Sequence, residues 1–168
     1  MRERRATGRP RVPKAVIVDV DDQFAHGHSV GERDDAGITF ERRLSATPPA
    51  VRADRLLIEQ VALNLVRNAM EAVETLPPER RRITVATRLE VDGSGTLSVS
   101  DLGDGVPREA KERLFDPFVT TKPGGLGLGL SICRSVVEAH GGSIRHHQND
   151  ERGAPRGAVF AFTLPGAA

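Results

Sequence analysis

Two asparagines, Asn64 and Asn68, stand four residues apart in an otherwise apolar stretch. On a helix that spacing puts them on one face. Helix interiors disfavour asparagine because its amide competes for backbone hydrogen bonds, so two on one face need a reason. A carboxamide oxygen is a hard ligand of the kind Mg²⁺ takes while keeping several waters; the alternative is that both amides bond to neighbouring loops. Further on, Asp101-Leu-Gly103-Asp-Gly105 follows directly on a strand-like run. A carboxylate at a strand end can accept a hydrogen bond from the exocyclic amine of adenine. Glycines two and four residues later remove side chains where a flat base must approach the backbone. The same residues alone also make an ordinary Asp-Gly turn.

Leu114-Phe115-Asp116-Pro117-Phe118 places two aromatics where exposure to water is costly, as anchors for a lid over a ligand or for a loop pinned to the core. Thr120-Thr121-Lys122 adds hydroxyls and one cation, and lysine binds phosphate as a point charge; solvation of Lys122 is the plainer reading. Gly125, Gly127 and Gly129 alternate with Leu126 and Leu128 just ahead of a helical pattern. Glycines there let backbone N–H groups converge on phosphate oxygens, and the helix N-terminus adds partial positive charge. They can equally serve as hinges.

Composition bounds the rest. A chain of 168 residues suits one domain with a real core. A net charge of +1 gives no electrostatic case for nucleic acid or an anionic membrane. Residues 1–14 are locally basic (Arg2, Arg4, Arg5, Arg9, Arg11, Lys14) and are expected to form a disordered tail, with 15–168 as a single domain. No apolar run approaches the roughly 18 residues that span a bilayer, and no signal-peptide pattern opens the chain. The single cysteine, Cys133, excludes an internal disulfide and suits a reducing compartment. A cytoplasmic location without membrane contact is the expectation. The P-loop pattern and GxSxG are absent, no Cys/His clusters have metal-ligand spacing, and Leu130 stands where GxGxxG needs glycine.

The elements that must position these residues follow from periodicity. Ala15–Val20 reads as a short strand or helix start, and Ile38, Phe40 and Leu44 mark a strand closed by Pro48-Pro49. Asp54 is a plausible N-cap for a helix over 55–76 that Pro77-Pro78 ends. Its apolar face is read as Leu57, Val61, Leu65, Ala69 and Ala72. Ile83–Val91 and Thr96–Ser100 form a hairpin about Asp92-Gly93-Ser94-Gly95. A second helix is predicted over Leu126–His140, stopped by Gly141-Gly142. Strands Ser143–His147 and Ala158–Leu164 close the chain. This order predicts an α/β sandwich, with helices over one face of a mixed sheet, rather than a doubly wound fold.

Order and spacing together carry more than any motif alone. From Ile38 to Pro165 the chain resembles the ATP-binding catalytic domain of sensor histidine kinases of two-component systems. That family sits within the superfamily that includes gyrase, Hsp90 and MutL. Glu59-Gln-Val-Ala-Leu-Asn64-Leu-Val-Arg-Asn68-Ala looks like its N box, and Asp101-Leu-Gly-Asp-Gly105 like its G1 box. Leu114-Phe-Asp-Pro-Phe118 is similar to the F box, and Gly125-Leu-Gly-Leu-Gly129-Leu to the G2 box. The short lid between Phe118 and Gly125 is similar to that of the nitrogen- and oxygen-sensing branch. The resemblance implies a two-layer Bergerat-type sandwich, mostly antiparallel, binding ATP and Mg²⁺. It implies that Asn68 ligates Mg²⁺, that Asn64 supports metal and phosphates, and that Asp101 reads adenine. Gly103 and Gly105 would admit the base, while Lys122, Gly127 and Gly129 hold phosphates. Phe118, Thr121, Gly125, Leu126, Leu128 and Thr163 complete the implied nucleotide-contacting set, and Asn64, Asn68 and Lys122 the catalytic one.

Position 64 bears on the fate of the bound nucleotide. In the gyrase, Hsp90 and MutL branch the matching residue is a glutamate that activates water. A carboxamide takes up no proton near neutral pH, so Asn64 disfavours hydrolysis and favours holding the γ-phosphate for another nucleophile. Neither His26, which precedes Gly27, nor His28, which precedes Ser29, matches the family's acceptor pattern. The expected partners are therefore a histidine-containing dimerisation and acceptor domain, in cis or in trans, and a response regulator downstream, with this domain monomeric. A stand-alone serine kinase of the anti-sigma type and a non-catalytic ATP-binding module are the competing readings.

Overall fold

The computed structural model describes residues 37–120, 124–149 and 157–167, with the backbone of Ala15–Ile17. The basic tail, His26 and His28 lie outside the described residues. The elements are β1 (Ala15–Ile17), β2 (Thr39–Arg43), β3 (Ala50–Arg52), α1 (Arg55–Val73), β4 (Arg82–Leu89), β5 (Gly95–Asp101), α2 (Gly129–Ala139), β6 (Ser143–Gln148) and β7 (Ala158–Leu164). Two 3-10 turns, Pro78–Arg80 and Arg108–Arg113, lie between them.

β2, β4, β5, β7 and β6 form one sheet in that order, with β2–β4 parallel and the other pairs antiparallel. Alternation aims Ile83, Val85, Leu97, Val99, Phe160 and Phe162 into a core shared with Leu65, Val73 and Val137 of the helices. Both helices therefore cover one face, giving the expected two-layer α/β architecture. Residues Ala50–Arg52 after the proline pair add an unforeseen strand, which pairs antiparallel with β1.

Local signals explain the element ends. Asp54 Oδ1 accepts the Leu57 N–H at 3.2 Å, the N-cap bond that starts α1. Around the hairpin turn, Gly93 has φ +82° and Glu90 N–H donates to Ser94 C=O at 2.8 Å. Gly141 (φ +73°) stops α2, and the Gly142 N–H bonds back to Val137 C=O at 3.0 Å. His140 then ties the helices together. Its Nε2 accepts the Asp54 N–H at 3.1 Å, which leaves the ring proton on Nδ1, facing Val136 C=O at 2.7 Å.

Three expectations need correction. α1 ends at Val73, not at 76. Its buried stripe runs through Ile58, Val61, Ala62, Leu65, Val66, Ala69 and Val73, whereas Leu57 and Ala72 are exposed. The helix packs against both the sheet and α2, which rotates and widens the stripe relative to one read from spacing. α2 starts at Gly129 instead of Leu126, because Gly127 has φ +66°, which no right-handed helix contains.

Candidate functional site

The α1 positions Asn64, Asn68 and Ala72 follow one another at intervals of four and share a face. The two ends of that face meet the two glycine motifs. Asn64 Nδ2 donates to Cys133 Sγ at 3.1 Å, and a Cβ added at Gly129 would stand 3.0 Å from the same nitrogen. At the other end a Cβ on Gly103 would lie 3.1 Å from Ala72 C=O and 2.7 Å from Asp101 Oδ1. Partly buried Asn68 sits between these contacts. Burial raises the Cys133 thiol above its ordinary range, keeping it protonated beside the Asn64 amide.

Asp101, at the end of β5, is 4% exposed. Its Oδ1 accepts from the Gly103 N–H at 2.8 Å and the Ala158 N–H at 3.2 Å. Its C=O accepts from the Nδ2 of Asn149, itself 3% exposed, at 2.8 Å. Gly157 has φ +100°, and a Cβ there would fall 2.1 Å from Asp101 C=O, so only glycine fits. A Cβ on Gly105 (φ +79°) would press on Gly157 C=O at 3.0 Å. Arg80 Nη2 donates to Leu102 C=O and Gly103 C=O, both at 2.9 Å. Asn149 and Arg80 carry no motif, and no residue pattern in the sequence marks either of them.

The loop after the 3-10 turn Arg108–Arg113 is held from two sides. Phe115 packs edge-on against Phe160, with ring centroids 6.4 Å apart. The Phe118 N–H donates to Gly127 C=O at 3.0 Å, closing the loop on the second glycine motif. A Cβ on Gly127 would come within 2.6 Å of the Phe118 carbonyl carbon, so the motif needs glycine here. Leu128 and Gly129 lead into α2, whose N-terminus has no side-chain cap. Gly125 and Leu126 are exposed. Thr121 and Lys122 lie outside the described residues.

Thr163 is not brought to this cluster, and Phe118 meets it through its backbone. The Phe118 side chain is no second anchor to the core: it has φ +65° and is 77% exposed. Thr163 lies at the far end of β7 from Ala158, on the face opposite Phe162, and its hydroxyl pairs with Thr96 Oγ1 at 2.8 Å. A groove of ≈ 960 Å³ beside α1 and α2 shares only its Asn64, Gly129 and Cys133 edge with the cluster and does not reach Asp101. The polar features, rather than that largely apolar groove, define the site. Among the described residues no three or more His, Cys, Asp or Glu side chains are grouped to hold a metal ion, and no helix is long and apolar enough to cross a membrane.

Known proteins resemble this chain in sequence and in fold. Residues 53–168 match the family described as histidine kinase-, DNA gyrase B- and HSP90-like ATPases. The sensor protein TdiS of Thauera aromatica is 43% identical over 129 residues, covering 76% of this chain and 23% of TdiS. Full-length ShkA, solved in complex with AMPPNP, superposes with a TM-score of 0.72 at 27% identity, over 93% of this chain and 32% of that one. The histidine kinase ThkA, solved with the response regulator TrrA, gives a TM-score of 0.63 at 34% identity, over 79% of this chain and 35% of that one. The chain thus spans about a quarter of the length of the curated relatives it matches, at 23%, 23% and 24% for three of them. It belongs to the histidine kinase-, DNA gyrase B- and HSP90-like ATPase family, as an ATP-binding catalytic domain of the histidine-kinase type.

Proposed function

We propose that this domain binds Mg-ATP between α1, the Asp101 turn and the glycine-rich start of α2, and donates the γ-phosphate to a histidine on a separate domain for relay to a response regulator. The observation that carries the reading is Asn64, lodged against Gly129 and Cys133 where a water-activating carboxylate is absent. With a carboxamide rather than a carboxylate at position 64, the task left is positioning and charge neutralisation. Asp101, held by two backbone donors, offers a fixed carboxylate for the adenine amine. The Gly105–Gly157 contact keeps side chains away from the base. The uncapped N-terminus of α2 presents backbone N–H groups to the phosphates, and Lys122 supplies a cation.

The residues present suit Mg²⁺ carried in with the nucleotide: Asn68 brings a hard carboxamide oxygen, and no rival cage of carboxylates surrounds it among the described residues. When bound, the ion neutralises charge on the phosphate oxygens. The response regulator complex of ThkA supports the downstream partner.

Incubation with labelled ATP and a histidine-containing acceptor domain tests this reading. An acid-labile phosphate on the acceptor is expected. An acid-stable phosphate would indicate a serine kinase, and nucleotide binding without transfer a non-catalytic module.

A further inference from the structure

Gly103 is gripped from both sides. Its N–H donates to Asp101 Oδ1 at 2.8 Å, and its C=O accepts from Arg80 Nη2 at 2.9 Å. The same nitrogen reaches Leu102 C=O at 2.9 Å and Asp104 Oδ1 at 3.0 Å. Asp104 is 80% exposed, so the ion pair contributes little. The weight falls on the two carbonyls, since hydrogen bonds from a charged donor are the stronger kind. The guanidinium also stands on a firm base. Arg80 ends the turn set by Pro77-Pro78, its N–H bonded to Pro77 C=O at 2.8 Å, and Arg81 Nε is anchored on Leu76 C=O at 2.7 Å. Slack in Leu102–Asp104 passes directly to Asp101, because Gly103 packs so closely that a Cβ would stand 2.7 Å from Oδ1.

We propose that Arg80 is a positioning residue for base recognition. It holds the Leu102–Asp104 turn so that Gly103 keeps the Asp101 carboxylate oriented toward the purine, and it thereby sets the preference for a 6-amino over a 6-oxo base. The inference rests on the assignment of Asp101 as the adenine reader. Arg80 touches neither the base nor the phosphates; it acts through the Gly103 peptide.

The test is calorimetric titration of the folded domain with Mg²⁺ and either ADP or IDP, in which an oxo group replaces the amine. The wild-type protein is expected to prefer ADP by about tenfold or more, and Arg80→Met to cut that ratio about threefold or more, with IDP affinity almost unchanged. Arg80→Lys, which keeps a cation over the turn, is expected to restore the ratio to within about twofold of wild type. If Arg80→Met fails to fold, Arg80→Gln gives the same reading with a donor but no charge. An unchanged ratio in the folded variant, or equal weakening of both nucleotides, would overturn the proposal, since a purely structural role moves both alike. A wild-type protein that binds ADP and IDP equally, and is indifferent to Asp101→Asn, would instead remove the adenine assignment and this inference with it.

Discussion

Replacing Asp101 by asparagine exchanges one oxygen for an amide nitrogen at nearly constant volume, in a residue 4% exposed. The structure dictates how the new side chain sits. The Gly103 and Ala158 N–H groups, at 2.8 and 3.2 Å, both require an acceptor at Oδ1, so the amide oxygen takes that place. The amide nitrogen then stands where the second carboxylate oxygen was and presents a donor. Toward an exocyclic amine, that replaces a charge-assisted hydrogen bond by two opposed donors. Loss of a hydrogen bond to a charged group costs about 1.5–3 kcal/mol, or roughly ten- to hundredfold in affinity. Both backbone bonds survive but lose their charge assistance, so the variant is expected to fold with a melting temperature lower by several degrees. Calorimetric titration with Mg-ADP, beside a thermal melt of the same sample, measures both. The asparagine nitrogen also complements an oxo purine, so the ADP-over-IDP preference should collapse in Asp101→Asn. A folded variant that keeps its ADP affinity within about twofold would refute the reasoning.

Asn68→Ala is expected to remove the strengthening of ADP binding by Mg²⁺ and to leave metal-free affinity nearly intact; titrations with and without the ion decide, and equal loss in both would assign Asn68 to packing. Gly127→Ala forces a Cβ to within 2.6 Å of the Phe118 backbone at a φ of +66°. It should destabilise by about 1 kcal/mol or more and weaken nucleotide binding, seen by melting and titration together. His146 gives a pH signature. Burial, then the positive charges of Lys111 and His147, lower its pKa, and Nε2 is sealed against Phe160, 5.2 Å away between ring centroids, with no hydrogen-bond partner among the described residues. Because the unfolded chain protonates first, stability is fully present above the ordinary histidine value and declines as pH falls through it toward the folded value. Between about pH 7.5 and about pH 5.5 the wild-type melting temperature should therefore drop further than that of His146→Leu; parallel curves would show that His146 carries no such linkage.

By itself the sequence determined whatever is settled within a few residues. The Asp54 cap, the turn at Gly93 and the stop at Gly141 depend on side-chain reach or on a positive φ, and those requirements are written in residue type. The two asparagines, the Asp-Gly turn and the glycine-leucine alternation were legible for the same reason, since each puts costly residue types at fixed spacing. Tertiary structure decided the rest. The true apolar stripe of α1 takes in Ile58 and Val73 instead of Leu57 and Ala72, because the neighbours a helix packs against fix its rotation. Thr163 left the site because strand alternation, locked by pairing with Thr96, turns it to the face opposite Phe162. Asn149 on Asp101, Arg80 on Gly103 and His140 on Asp54 join residues 48, 23 and 86 positions apart. No local pattern encodes such contacts, since each is made only when burial of the shared core brings distant backbone groups within hydrogen-bond reach.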